Sequence, residues 1–268
     1  MQYLRSAPFV ALAALAAAAC GSARAEGEIS TDRPDIVESS DVVGRGRFQI
    51  ETSVAGERSN TDGMRTRSWS TPTLLRLGVS DSVELRLETD GRQRDRVTDI
   101  ASGAATTTQG WNDLSLGVKW HARDSDAATG TAAIAWLLHA DIASGTGAYR
   151  GEGIRPSLRV VYEWDLPHEL SLGVMPGVTS ERRADGSRYA SGVFAVTLGQ
   201  AFNDEWRGFV ELAAPRIARG RDGGTGWLLD VGGAWLLNAD VQIDSALSFG
   251  LNRNVPDLGW TVGLSLRF

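Results

Sequence analysis

The last ten residues, Gly259 to Phe268, constrain the fold more than any other stretch. Read at period two, Trp260, Val262, Leu264, Leu266 and Phe268 share one face, and Thr261, Gly263, Ser265 and Arg267 share the other. Strict apolar/polar alternation is the pattern of a strand with one face in an apolar medium. The sequence stops on the apolar face with an aromatic ring, where the end of a soluble domain is usually polar and frayed. Two architectures accept such a strand: the closing strand of a membrane-embedded β-barrel, and an edge strand of a soluble β-sandwich.

The chain before it favours the barrel. Of 268 residues, 31 are Gly, and Trp (9) outnumbers Phe (7) and Tyr (4). After residue 25 no apolar run approaches the roughly 20 residues of a transmembrane helix. A chain of this kind spans a membrane only as a closed sheet, in which every backbone group pairs between strands. Residues 1–25 predict a cleaved signal peptide: Arg5, the apolar run Phe9 to Ala19, and the small-x-small site Ala23-Arg24-Ala25. Ala17-Ala18-Ala19-Cys20 is a rival lipoprotein site, without the usual Leu three residues before the cysteine. Cleavage after Ala25 removes the one cysteine and makes the chain more acidic than its formal −6. An acidic chain without a basic run offers nothing to nucleic acid.

Residues 26–45 are polar and aperiodic, with Thr31-Asp32-Arg33-Pro34-Asp35 followed by Glu38-Ser39-Ser40. Pro34 lacks a ladder donor, so this piece reads as an arm ahead of the barrel, periplasmic or luminal. Residues 46–268 then predict a single all-β, antiparallel up-and-down transmembrane β-barrel. Twelve strands lie near 46–57, 64–79, 83–91, 111–121, 131–141, 153–164, 169–180, 189–202, 206–217, 226–237, 240–251 and 258–268. Their connections alternate. Ser80 to Ser82, Asp165 to His168, Asn203 to Glu205 and Asn238-Ala239 are short, and Arg123 to Gly130 is somewhat longer. Arg58 to Gly63, Arg92 to Gly110, Ile142 to Glu152, Glu181 to Arg188, Ala218 to Thr225 and Asn252 to Asp257 are mostly long. Outer-membrane barrels have short periplasmic turns, longer extracellular loops and an even strand count. The longer set falls where extracellular loops belong if both termini are periplasmic.

Faces and aromatic residues agree. Val83, Leu85 and Leu87 oppose Glu84, Arg86 and Glu88; Leu114, Leu116 and Val118 oppose Ser115, Gly117 and Lys119. In a membrane barrel the apolar face meets lipid and the polar face lines the lumen. Parity thus sends inward Glu51, Arg76, Glu84, Arg86, Glu88 and Lys119 from the first half, and His139, Asp141, Arg159 and Glu163 from the middle. Glu211, Asp230 and Asp244 follow from the last strands, with Arg47, Arg207 and Arg267. Trp120, Trp164, Phe202, Trp206, Trp235 and Phe268 fall near the periplasmic strand ends, and Trp69, Trp111, Tyr189, Trp227 and Trp260 near the other ends. Such rows form the girdles of a membrane protein. One strand fits poorly: Gln200 shares parity with Phe194, Val196 and Leu198, which predicts a bulge there.

On the residues Thr31-Asp32-Arg33-Pro34-Asp35, Glu38-Ser39 and Gly46-Arg47-Phe48-Gln49-Ile50-Glu51, with a looser fit of the strands to Phe268, the chain resembles the outer-membrane transporters grouped as the MetA-pathway of phenol degradation family. That resemblance implies passage of small aromatic or apolar compounds. A catalytic site is not expected. His139 and Asp141 share one face without an adjacent third metal ligand. His121 and His168 lie at the periplasmic end, away from where a barrel phospholipase needs its histidine. No cofactor or metal is implied. The expected function is a passive outer-membrane channel for a small solute, with lipid around it. A structural or adhesive barrel without conduction is the alternative. The strand ending at Phe268 is the expected contact for the barrel assembly machinery. The linker from 36 to 45 lets the arm enter the lumen, with Asp32, Arg33 and Asp35 pairing with lumen charges; Arg33 is expected to meet Glu51, Glu84 or Glu88.

Overall fold

The computed structural model describes residues 27–268. The signal segment and Cys20 lie outside the described residues. Fifteen β-segments form one antiparallel sheet. They are β1 (Phe48–Thr61), β2 (Met64–Ser70), β3 (Thr73–Gly78), β4 (Val83–Thr89), β5 (Arg92–Asp99), β6 (Ala105–Trp111), β7 (Leu114–Arg123) and β8 (Ala133–Ile142). After them come β9 (Arg155–Leu166), β10 (Leu170–Arg182), β11 (Arg188–Ala201), β12 (Trp206–Ile217), β13 (Gly226–Asn238), β14 (Val241–Gly250) and β15 (Leu258–Arg267). β15 returns to pair with β1 from Gln49↔Arg267 to Arg58↔Leu258, so the sheet closes on itself.

Three pairs of segments are single staves with one interruption. β2 and β3 pair with β1 in the same register, Ala55↔Ser70 and Phe48↔Leu77, across a break at Thr71-Pro72. β4 and β7 pair as Glu88↔Ser115, and β5 and β6 continue that ladder as Arg92↔Trp111. Counted this way the barrel has twelve antiparallel strands. The breaks lie side by side. Pro72 has no N–H to give the ladder, and Gly91 adopts φ 67°. A Cβ on Gly91 would stand 2.2 Å from the Thr71 carbonyl oxygen, so only glycine fits.

Both described ends of the chain lie at one end of the barrel, the terminal end; the other is the loop end. The stretch 92–110 differs from its expected form as a long loop. It is the β5–β6 hairpin, which with β2 extends the wall beyond the breaks. Arg92, Arg94 and Arg96 alternate with Gln93, Asp95 and Val97. A strand outside the hydrocarbon needs no apolar face, so the usual signal is missing there. Likewise 58–63 is mostly strand, turned by Asp62 and Gly63 with φ 51° and 76°, the conformation a tight hairpin requires.

Inside and outside follow the pleat. Leu85, Leu116, Leu138, Leu212, Leu247 and Val262 are exposed, while Glu84, Lys119, Glu211 and Gln242 are buried. This inversion of the soluble pattern marks a lipid-facing wall around a polar interior. At the terminal end Trp206 stacks on Trp235 at 5.1 Å, Phe48 on Phe268 at 6.4 Å and Tyr162 on Trp164 at 6.2 Å. Trp136, opposite Trp120 on the neighbouring strand, joins this girdle. With a closed wall, an apolar outer band and aromatic residues at both its edges, the protein is an outer-membrane barrel.

The bulge expected at Gln200 is elsewhere. β10 and β11 stay in one register from Leu170↔Gln200 to Arg182↔Arg188. Gln200 donates its side-chain amide to the carbonyls of His168, Glu169 and Ala201, which explains a polar residue on that face at a turn. The register shifts instead on β12, against both neighbours, in the segment containing Pro215.

Leu116 is 51% exposed on the outer face, whereas Ser115 lies inside between Glu88 and Asp141 on the adjoining strands. Leu116→Arg is expected to cost about 2–4 kcal/mol, the midplane value for a charge on the lipid face. Ser115→Arg, which gains two acidic neighbours, is expected to cost less. Denaturant unfolding of the barrel in vesicles measures both, and equal losses would contradict the assigned faces.

Candidate functional site: the lumen and its inserted arm

Residues 27–47 enter the lumen and return. Arg267, on the last strand, donates to the carbonyls of Gly27 (2.9 Å) and Glu28 (3.0 Å), and Ile29 N–H bonds Ala239 O at 2.8 Å. The segment leaves the lumen where Gly46 N–H meets Gly78 O at 2.8 Å. The two limbs are tied by the Ser30 and Ser39 hydroxyls (2.8 Å) and by Ser39 N–H on the Asp32 carboxylate (2.9 Å). The arm is therefore a loop inserted from the terminal end, with Arg33 to Ile36 nearest its apex.

One wall of the lumen is basic. Arg76 on β3 lies directly opposite Arg86 on β4, and Lys119 on β7 lies opposite Glu84. Like charges directly opposed across a ladder repel, and these side chains are out of solvent. Asp32 supplies the missing charge. Its carboxylate takes Lys119 Nζ at 2.7 and 3.0 Å, pairs with Arg86, and lies 3.5 Å from Arg76. Its own N–H reaches Glu51 at 2.9 Å. Glu84 bridges Arg76 (2.8 Å) and Arg86 (2.9 Å), and Glu51 takes Arg76 at 2.9 Å. Glu38 of the arm extends the network, joining Arg86 and Arg159 at 2.6 Å each. A buried charge is tolerated only when paired and hydrogen-bonded; every base on this wall meets arm or wall carboxylates.

The opposite wall is acidic, with Glu211 facing Asp230 across β12–β13 and Asp244 on β14. Here the arm turns its donors outward. Ile36 and Val37 N–H bond the two oxygens of Glu211 at 2.9 and 2.8 Å. Arg33 Nη2 meets Asp244 at 3.3 Å and Thr261 at 2.7 Å. Arg33 does not reach Glu51, Glu84 or Glu88. Successive side chains of an extended segment point to opposite sides, so Asp32 takes the basic wall and Arg33 the acidic one. Gly263 makes that possible, because a Cβ there would stand 2.7 Å from Arg33 Nε. Between the charged walls lies an apolar one, unforeseen from the sequence: Val37 packs with Ala135, Leu137, Val161, Met175, Ala195, Ala213 and Leu228.

The remaining expected residues are spread along the lumen. Glu163 accepts Ser40 N–H from the returning limb. Asp35 makes no ion pair and lines the cavities on both sides of the apex. Glu88 and Asp141 line the loop-end cavity, where Arg155 reaches Asp141 at 3.5 Å. His139 is buried with neither ring nitrogen bonded. Among the described residues no group of three or more His, Asp or Glu converges on a metal-sized site. Sequence reasoning left Glu38, Asp113 and Arg155 off its site residues, although Glu38 stands in the arm motif. Asp113 lies at the β6–β7 break and clamps 145–155 through Gly145 N–H (2.7 Å), Gly151 N–H (2.9 Å) and Arg155 (2.9 Å).

Three cavities lie along the axis. One of about 650 Å³ opens at the terminal end and is bounded by Arg33, Pro34 and Asp35 of the arm. One of about 240 Å³ lies beyond the same three residues, against Glu38, Glu51 and Arg159. It shares Glu88, Thr89, Asp90 and Arg159 with a third, of about 520 Å³, at the loop end. The arm apex separates the two ends of the lumen.

Comparison with known proteins agrees with the barrel fold. An outer-membrane channel from Pseudomonas putida F1 superposes with a TM-score of 0.60 at 13% identity, over 88% of this chain and 99% of that one. The NanC porin gives 0.50 at 11% identity, over 81% and 98% of the respective chains. A KdgM porin gives 0.50 at 7%, over 83% and 99%. At these identities the likeness is one of fold. No curated protein matches the chain by sequence. The sequence model of one family matches residues 31–268, from the arm motif to the last strand, and the chain belongs to that family, the MetA-pathway of phenol degradation family.

Proposed function

We propose that the protein is a passive outer-membrane channel for small solutes, plugged at rest by its own arm and opened when the arm moves. The observation that carries this reading is the arm apex: Arg33 to Asp35 alone bound both the terminal-end cavity and the one beyond it. The arm is held mainly by polar contacts, which water can replace when the whole arm leaves, and net stabilisation from one hydrogen bond to a charged group is about 1.5–3 kcal/mol. With the arm withdrawn, the lumen presents Arg76, Arg86 and Lys119 on one side and Leu137, Val161 and Met175 on another. A wall of that kind suits small aromatic compounds carrying an acidic or polar group, in keeping with the family's link to phenol degradation. No reaction is assigned to the lumen, where Arg76, Arg86, Lys119 and Arg159 pair with carboxylates of the arm and wall.

In this reading residues 1–25 are a cleaved signal peptide, the loop end faces outward, and the strand ending at Phe268 is read by the barrel assembly machinery. An epitope inserted at 101–103, the tip of the β5–β6 hairpin, is expected to be reached by antibody on intact cells. One inserted at Ser80 to Ser82 is expected to be hidden until the outer membrane is opened. Surface access to both would contradict the orientation.

Conductance in planar bilayers tests the channel. Deleting 28–38 is expected to raise single-channel conductance several-fold, and Asp32→Asn, which leaves Lys119 and Arg86 short of a charge, to raise the open fraction. Stable insertion of all three proteins with no current in any would favour the structural barrel.

A further inference from the structure

The loop end carries a second set of opposed arginines, on the outer face and without acids. Arg58, Arg67 and Arg96 lie directly opposite one another on β1, β2 and β5. Their row runs Leu258, Arg58, Arg67, Arg96, Thr107. The next row toward the membrane is Trp260, Gly56, Trp69, Arg94, Gln109. The row beyond is Asn60, Arg65, Thr98, Ala105. No Asp or Glu occurs in any of the three; Asp257, just before β15, bonds Asn60 at 2.7 and 3.2 Å and pairs with none of the arginines.

The face is the outward one. Val54 and Val262, paired across β1–β15 and in phase with Arg58, are 48% and 53% exposed in the lipid-facing band. The acids of the same hairpin, Asp95 and Asp99, alternate with the arginines and so lie on the inner face, where Tyr149 Oη bonds Asp95 at 3.0 Å. Arg58, Arg67, Arg94 and Arg96 make no hydrogen bond or ion pair, and Arg58, Arg67 and Arg96 are exposed.

Directly opposed like charges destabilise a sheet. Inside the barrel the same arrangement, Arg76 opposite Arg86, is neutralised by Asp32, Glu51 and Glu84. Outside, no carboxylate of the described residues pairs with Arg58, Arg67 or Arg96. The height of the row indicates what can. Trp260 and Trp69 mark the edge of the hydrocarbon. Arg58, Arg67 and Arg96 stand two residues further along the strands, roughly 7 Å at 3.3–3.4 Å per residue. The headgroup layer on one side of a bilayer is roughly 5–7 Å deep. The three guanidiniums therefore lie at headgroup level, and guanidinium is the side chain best suited to bind phosphate through paired N–H donors.

We infer that this arginine ladder is a binding site for a bisphosphorylated glycolipid of the outer leaflet, of the lipid A type, with acyl chains against Trp69 and Trp260 and phosphates across Arg58, Arg67 and Arg96. The assignment rests on the loop end facing outward, which the epitope experiment tests by itself, and is independent of whether the barrel conducts.

The test is native mass spectrometry of the refolded full-length barrel, titrated with lipid A bearing both phosphates and with the same lipid dephosphorylated. Wild type is expected to retain the phosphorylated lipid and lose most of it on dephosphorylation. The Arg58→Gln/Arg67→Gln/Arg96→Gln variant, shown folded by its heat-modifiable gel shift, is expected to bind roughly a hundredfold more weakly, at about fivefold per arginine near the surface. Arg219→Gln/Arg221→Gln/Arg253→Gln, at the same end of the barrel, is expected to bind as wild type. Equal retention of both lipids by wild type would overturn the inference even if the variant did not fold. So would equal binding by a folded variant. Inorganic phosphate that displaces lipid A completely at millimolar concentration would reassign the ladder to a free anion.

Discussion

Closure of the sheet between β1 and β15 is the constraint on which the other features depend. Hydrocarbon offers no partner to a backbone amide, so an open edge at membrane depth would leave a row of unpaired groups. Once the sheet is closed, the pleat divides the side chains into two sets with no third option. Within the hydrocarbon the lipid side is left to apolar residues such as leucine, valine and tryptophan, and the charges are forced inward. Arg76, Arg86, Lys119, Glu51, Glu84 and Glu211 are consequently buried at the centre of a small barrel, where each must find a counter-charge or hydrogen-bond donors.

The arm answers that requirement. It carries Asp32 and Glu38 toward the basic wall and amide donors with Arg33 toward the acidic wall, so one segment meets both sets of lumen charges. Asp32 is the joint, touching three bases with its carboxylate while its N–H binds Glu51. Deep ion pairs add little stability over an apolar core, yet removing one member strands the others. This favours a device in which the whole arm enters or leaves and water replaces it. A barrel built only for rigidity would not need both cavities to stop at the same three residues.

Much of this was legible in the sequence because a strand's pleat has a period of two. Glu84, Arg86 and Lys119 inward and Leu116 outward follow from parity alone, and the strand count follows from where the alternation breaks. What escaped detection did so for separate physical reasons. The β5–β6 hairpin stands outside the hydrocarbon, so both its faces are polar and Arg92 to Gly110 read as a loop. The apolar luminal wall escaped because β8 is apolar on both faces from Ala133 to Leu138, which hides which face the arm covers. The partner of Arg33 was misassigned because a linker length limits reach and says nothing of direction. Gln200 was misread as a register error because a turn's need for a donor leaves no local mark.

The central claim is that the arm must move for the barrel to conduct. Thr31 of the arm meets the end of the Gln242 side chain of the wall at 2.9 Å, so side chains at the two positions face each other across arm and wall. Cysteines at Thr31 and Gln242, in a chain produced without residues 1–25 and so without Cys20, allow the arm to be locked and released in one preparation. Single-channel recording of that protein, oxidised and then reduced, is the most direct test. The account predicts a silent or minimally conducting barrel when oxidised and reversible openings after reductant. Equal current in the two states, with the disulfide confirmed, would contradict it.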